Sequence, residues 1–223
     1  DEVEVYLERI ENALGEAVQA GFDARDVEVC IGTSAGSVLA ALLGSGIGID
    51  VALRHQQGIP APADPDISWD YERDSGGAVP PRPGFGIGSP RLLLTAARHP
   101  RRVPPMAAFS AAMPRGRGTL LPLHRMVELV SEPPSGGGWP AAPSTWIVAM
   151  DYAAGTRTVF GRAGSPPATL ADAVTASCAI PGWYAPVVIG GRPYVDGGTL
   201  SPASLDLLAG AGLDEVYVLA PMA

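Results

Sequence analysis

Apolar positions along the chain change their spacing several times, and each change marks an element. Val3, Leu7, Ile10, Leu14 and Val18 recur at helical intervals with acids between them, which predicts an amphipathic helix over residues 2–20 stopped by Gly21. Val27 to Ile31 is a short β-branched run suited to a buried strand, and Ser37 to Leu43 returns to helical spacing before Gly44. Strand, tight turn and helix are the predicted order there.

Residues 58–90 are mostly proline, glycine and polar side chains, and no regular element is predicted in them. Ser89-Pro90 reads as an N-cap followed by proline at the first helical position, opening RLLLTAARH before Pro100 ends it. A further helix is predicted over 121–130, and 131–143 is a loop. Residues 145–152 and 156–160 read as two strands joined around Ala153-Ala154-Gly155, a hairpin signal. Then follow a helix over 170–177, strands over 186–189 and 192–195 about Gly190-Gly191, a helix over 202–209 capped by Ser201, and a strand over 215–220. Strands alternating with helices predict a layered α/β fold with a mainly parallel central sheet. The 223 residues suit a single domain carrying a Pro/Gly/Arg-rich insertion at about 58–120.

Composition refines this picture. Hydrophobic residues make 47% of the chain, enough for one core without disulfides, and Cys30 and Cys178, each inside an apolar segment, read as buried free thiols of a reducing compartment. Net charge is −8, yet residues 1–28 hold nine acids and two arginines, whereas 75–127 hold eight arginines and no acid. Either those arginines are solvated on an exposed insertion or they form an anion-facing surface. The uncharged run over 29–49 is interrupted by five glycines and four hydroxyl side chains, a poor composition for a hydrocarbon-facing helix. No secretory pattern opens the sequence, so a cytoplasmic location is expected. With no initiator Met and an apolar run at its end, the sequence reads as part of a longer chain at both ends.

The candidate chemistry sits in VEVCIGTSAGSVLAALL, residues 27–43. Gly32-Thr33-Ser34-Ala35-Gly36 after a strand and before a helix is the nucleophile-elbow pattern, in which a tight turn holds the serine out for attack. A Cβ on either flanking glycine is expected to collide with the adjacent strand or helix. The helix N-terminus aims amides at the site, favouring a developing oxyanion beside Ser34. No Lys-Ser/Thr follows the glycines, which disfavours a phosphate-binding loop. A base is harder to find, because His55, His99 and His124 are the only histidines, none lies after residue 124, and all three read as surface or packing residues. Asp196, in YVDGGTLSP, stands at the end of a strand before two glycines, which taken alone reads as a plain Asp-Gly turn rather than as a base.

Taken together and in order, GTSAGS at 32–37, ASCAIPGWYAPV at 176–187 and YVDGG at 194–198 resemble the patatin-like phospholipases, in an actinobacterial style. The resemblance implies a three-layer α/β/α body and a Ser-Asp dyad without histidine. Ser34 would attack a lipid ester carbonyl, and Asp196 would take its proton and later activate water. It further implies that the backbone N–H of Ala35 serves the oxyanion, that Gly32, Gly36, Gly197 and Gly198 are motif glycines, and that the 176–187 segment shapes the site. No metal or organic cofactor is implied; calcium is not expected, since no loop concentrates carboxylates at ligand spacing. The family's glycine-rich oxyanion loop has no counterpart before Gly32, so the loop either lies upstream of residue 1 or is lost. Losing one oxyanion donor costs on the order of a hundred- to a thousandfold in rate, so the alternative is a catalytically silent lipid- or partner-binding module. A histidine-dependent esterase would require a histidine past residue 223. The arginine-rich 75–127 region, with Phe85, Ile87, Leu92, Met106 and Phe109 among its arginines, is a candidate lid or peripheral contact with anionic membrane; nucleic acid is not an expected partner.

Overall fold

The structure is a computed structural model, and the residues described are 23–56, 58–65, 81–131 and 138–219. The helix expected over 2–20 lies outside them. Strand β1 (Val29–Thr33) leads through one residue into α1 (Ala35–Gly44), followed by α2 (Ile49–Gln56). Helices α3 (Pro90–Arg98), α4 (Pro105–Ala112) and α5 (Leu121–Val130) precede the hairpin β2 (Ser144–Asp151) and β3 (Thr156–Phe160). Helix α6 (Leu170–Ser177), strands β4 (Val187–Ile189) and β5 (Arg192–Asp196), and two short 3-10 turns, Gly197–Thr199 and Leu205–Leu208, complete the fold.

Strand β2 organises the sheet. Its residues 147–151 pair antiparallel with β3, so the opposite edge is left for other partners. Along that edge β1 pairs parallel with 144–148, ending with Thr33 opposite Val148, and β5 pairs antiparallel with 149–151, with Asp196 opposite Ala149. Strand β4 pairs antiparallel with β5. The α/β class is as expected, and the sheet is mixed. The parallel pairing anticipated from strand-helix alternation is β1–β2, joined by the long helical crossover, while tight hairpins impose antiparallel pairing on β2–β3 and β4–β5 and the connection through α6 and β4 returns β5 antiparallel to β2.

Both faces of the sheet are covered, which makes three layers. Successive side chains of a strand point to opposite faces, and on β2 Ile147 and Ala149 join one core while Met150 joins another. The first core is closed by Ala40 and Ala41 of α1, Leu123, Met126 and Val127 of α5, and most of α6, whose side chains are buried except that of Asp172. A helix apolar almost all round belongs inside. Asp172, the one side chain of α6 that is not buried, accepts from Nε2 of His124 at 3.0 Å, tying α6 to α5. On the second face Leu92 of α3 and Ala107 and Ala111 of α4 pack with Val103, Met150, Tyr152 and Val195. Part of the expected insertion is thus built into the second layer. Tyr152 Oη donates to Ser110 O at 2.7 Å, and Ser89 Oγ donates to Tyr152 O while capping α3 by accepting from Leu92 N at 3.3 Å.

Helices α2 and α4 were not legible as elements. Met106 and Phe109 of α4 lie outside its buried face, so its apolar positions carry no amphipathic period. Two other expectations are corrected. In place of a helix over 202–209 there is a single 3-10 turn, because Ser204 adopts a left-handed conformation (φ 49°) that breaks the helical path, and Ser201 Oγ accepts from Ser204 N at 3.0 Å in a turn. Residues 215–219 pair with no strand among the described residues and are exposed. An apolar run supplies side chains for a strand, but pairing needs a neighbouring edge that composition cannot provide.

Leu92 is completely buried, and a Cβ on Gly155 would come within 2.5 Å of its Cδ1. Leu92→Ala is expected to cost about 2 to 5 kcal/mol, read as a lower urea midpoint in a single transition; a separate early transition would mean that α3 and α4 are not part of the body.

Candidate active site

Because β1 and β5 approach along one edge of β2 from opposite directions, their C-terminal ends meet there. Ser34 follows the last residue of β1, and Asp196 is the last of β5. Two residues 162 positions apart are brought together by strand register alone.

Ser34 sits at φ 53° and ψ −126°, a conformation that costs a non-glycine residue on the order of 1 to 3 kcal/mol and persists only where its surroundings fix it. They do so through the backbone. Ser34 N donates to Ser177 Oγ at 2.9 Å, and Ser177 Oγ donates in turn to Val148 O at 2.7 Å, so one fully buried hydroxyl bridges the turn to β2. Ser34 O accepts from Ser37 N at 2.8 Å, from Ser37 Oγ at 2.6 Å and from Cys178 Sγ at 3.3 Å. The Ala176-Ser177-Cys178 stretch is therefore what locks the turn, a role that the sequence marks only by the presence of the segment. Burial pushes the Cys178 thiol up to about 12 and that of Cys30 up to about 11, so both stay protonated and unreactive at neutral pH.

Of the two glycines flanking the turn, only one is sterically required. A Cβ on Gly32 would lie 2.3 Å from Gly36 O, whereas a Cβ on Gly36 meets nothing within 4 Å. The expectation that both would collide is corrected: Gly36 opens outward at the exposed start of α1, and space is kept there. The amides of Ala35 and Gly36 have no acceptor among the described residues. With the Ser34 amide committed to Ser177, these are the donors the turn leaves for an incoming oxygen.

Asp196 is 6% exposed. Its Oδ1 accepts from Gly198 N at 2.7 Å, and its own amide donates to Ala179 O at 3.0 Å, so the segment after Cys178 holds the acid as well as the serine. Burial raises its carboxyl above the ordinary carboxylate range, and hydrogen bonds from the Ser34 side chain and the Gly198 amide oppose the rise. Gly197 is needed because a Cβ there would lie 2.4 Å from Val148 O, the same carbonyl that receives Ser177; at Gly198 it would lie 3.1 Å from Asp196 Oδ1. The histidines lie elsewhere: His124 is bound to Asp172, His99 is exposed after α3, and His55 lies on α2 with its Nε2 buried and unpaired.

This arrangement offers a hydroxyl in a fixed turn, a buried carboxyl group brought beside it by the meeting strand ends, and exposed amides one residue on. A family model described as patatin-like phospholipase matches residues 15–209, a span that includes Ser34, the 176–187 segment and Asp196. No curated protein matches the chain.

Two outcomes follow from this geometry. Ser177→Ala leaves the Ser34 amide and the Val148 carbonyl without their shared partner and is expected to cost about 1 to 3 kcal/mol, measured by urea unfolding. For Asp196 the folded state binds the proton more tightly than the unfolded chain, so stability falls as pH rises from the ordinary carboxylate range through the raised value. Asp196→Asn removes the buried charge, and thermal melts from about pH 4 to about pH 8 should show that decline in the wild type and not in the variant, whose Tm at the upper end equals or exceeds that of the wild type.

Proposed function

Because the chain belongs to the patatin-like phospholipase family, we propose that it is a serine-dependent acyl hydrolase of lipid carboxylic esters, with Ser34 as nucleophile and Asp196 as its base. The observation that carries this reading is the meeting of two strand ends on one edge of β2, which sets a serine at φ 53° beside a buried aspartate.

The steps use only these groups. Ser34 Oγ attacks the ester carbonyl carbon while Asp196 accepts its proton. The carbonyl oxygen becomes an oxyanion at the N-terminus of α1, where the Ala35 N–H donates to it. Collapse of the tetrahedral intermediate breaks the bond to the alcohol oxygen, which leaves with the proton held by Asp196, and the acyl group stays on Ser34. Water then gives a proton to Asp196 and attacks the acyl carbon; collapse returns the proton to Ser34 Oγ and releases the carboxylic acid. The raised proton affinity of Asp196 suits it to this exchange, since a base whose proton affinity is nearer neutrality passes the proton on more readily. No histidine is needed.

The test is covalent labelling by a fluorophosphonate, located by peptide mass spectrometry, beside Ser34→Ala and Asp196→Asn. Labelling is expected at Ser34, absent in Ser34→Ala and lowered by on the order of a hundredfold or more in rate in Asp196→Asn. In the wild type the rate should fall on acidification with a midpoint above the ordinary carboxylate range. A folded wild-type protein that takes no label would favour the silent binding module instead.

A further inference from the structure

Helix α4 is arranged the wrong way round for a helix facing water. Its small residues Ala107, Ser110 and Ala111 are buried, whereas Met106 and Phe109, one turn apart on the outer face, are 59% and 63% exposed. The surface continues beyond the helix. Residues 84–89 are bound to the last turn of α4 and the segment after it by Gly84 N to Arg115 O (3.0 Å), Gly88 N to Met113 O (2.8 Å) and Ser89 N to Ala111 O (3.0 Å), and they carry the exposed Phe85 and Ile87. On the other side, Gly118 N donates to Trp183 O at 2.9 Å and Ala185 N to Gly118 O at 2.9 Å, which adds the half-exposed Trp183.

Charge follows the same segments. Between residues 81 and 117 there are seven arginines and no acid, all seven are exposed, and none has an acid partner among the described residues. A Cβ on Gly84 would lie 3.1 Å from Arg117 Nε, so one of these cations lies against the loop that carries Phe85. The surface also adjoins the candidate site from both sides: α4 contacts the Gly197–Thr199 turn that follows Asp196, and Trp183 belongs to the segment that starts at Cys178 beside Ser34.

We propose that this face, built from Phe85, Ile87, Met106, Phe109 and Trp183 with the surrounding arginines, docks on an anionic lipid bilayer. Large apolar side chains among unpaired arginines match the interfacial region of such a membrane, where the rings enter the acyl boundary and the guanidinium groups meet phosphates. A second copy of the chain fits poorly, because a two-fold contact through this face would set arginines against arginines. The chain's net charge of −8 repels an anionic surface at long range, so the contact needs this acid-free region, acting within a screening length of about 8 Å at physiological salt. The proposal rests on the lipid-ester reading only for its purpose, since docking needs no hydrolysis.

The experiment is flotation of the full chain carrying Ser34→Ala with phosphatidylcholine vesicles, with and without phosphatidylglycerol. Binding is expected only with the anionic lipid. It should fall at least about tenfold in Phe85→Ser/Phe109→Ser and by about fivefold per charge removed in Arg101→Gln/Arg102→Gln, the latter loss vanishing at high salt. Thermal melts check each variant, and Ile87→Ser/Met106→Ser replaces the first pair if its melt shifts. Equal binding to both vesicles, unchanged binding by the variants, or a dimer in light scattering that the phenylalanine variant dissociates would overturn the proposal. Fluorophosphonate labelling of the wild-type chain, run in parallel, keeps the two readings apart. Labelling without flotation ends the docking proposal alone, and flotation without labelling ends the hydrolase reading alone.

Discussion

One edge of β2 has to accommodate two strands. Strand β3 takes the other edge through a tight hairpin, and β1 and β5 then divide what remains, one running parallel and one antiparallel, so that their ends converge between Val148 and Ala149. That convergence creates a break in the sheet where neither strand continues. Backbone groups at such a break must find other partners, and here they find them in Ser177 Oγ, Cys178 Sγ, Ala179 O and the start of α1. The site is the place where the ladder of the sheet gives way to side-chain and turn hydrogen bonds.

The same place stores unfavourable free energy. A serine at positive φ and a carboxylate in a dry environment each work against folding, and both are held by fully buried neighbours whose own hydrogen-bonding groups are satisfied through the site. Val148 shows how tight the packing is: its carbonyl receives Ser177 and stands against Gly197, so neither residue can enlarge. Gly36, by contrast, faces open space at the helix start. Local closeness inside and local openness outside are what a turn needs if it is to be rigid and still meet a substrate.

The second layer ties this centre to the surface. Helices α3 and α4 bury small and branched side chains against Met150, Tyr152 and Val195, one residue from Asp196, and turn larger apolar groups outward. Under the docking proposal the acid-free arginine stretch and these outward side chains form one contact, on the layer whose helix α4 meets the turn after Asp196. Among the described residues no helix is long and apolar enough to cross a membrane.

Local rules made much of this legible. The Ser89-Pro90 cap, the helix over 170–177, the hairpin about Gly155 and the strand-turn-helix around Ser34 follow from periodicity and turn chemistry, which act within a few residues and are therefore written locally. The motif order also pointed to Ser34 and Asp196 as a pair through family resemblance. Hidden from the sequence were α4, whose large apolar residues face outward and cancel the period, the 3-10 turn that replaced the helix over 202–209, and the 215–219 run, which joins no strand among the described residues. The work of Ser177 was hidden too, because a buried hydroxyl bridging residues 34 and 148 has no signature at either position. The sequence by itself determined the candidate residues for chemistry and most of the helices and strands around them, since those follow from side-chain type and short-range spacing. Only the tertiary structure decided that the serine and the acid meet, because strand register on a shared edge depends on partners distant along the chain, 29–33 with 144–148 and 194–196 with 149–151.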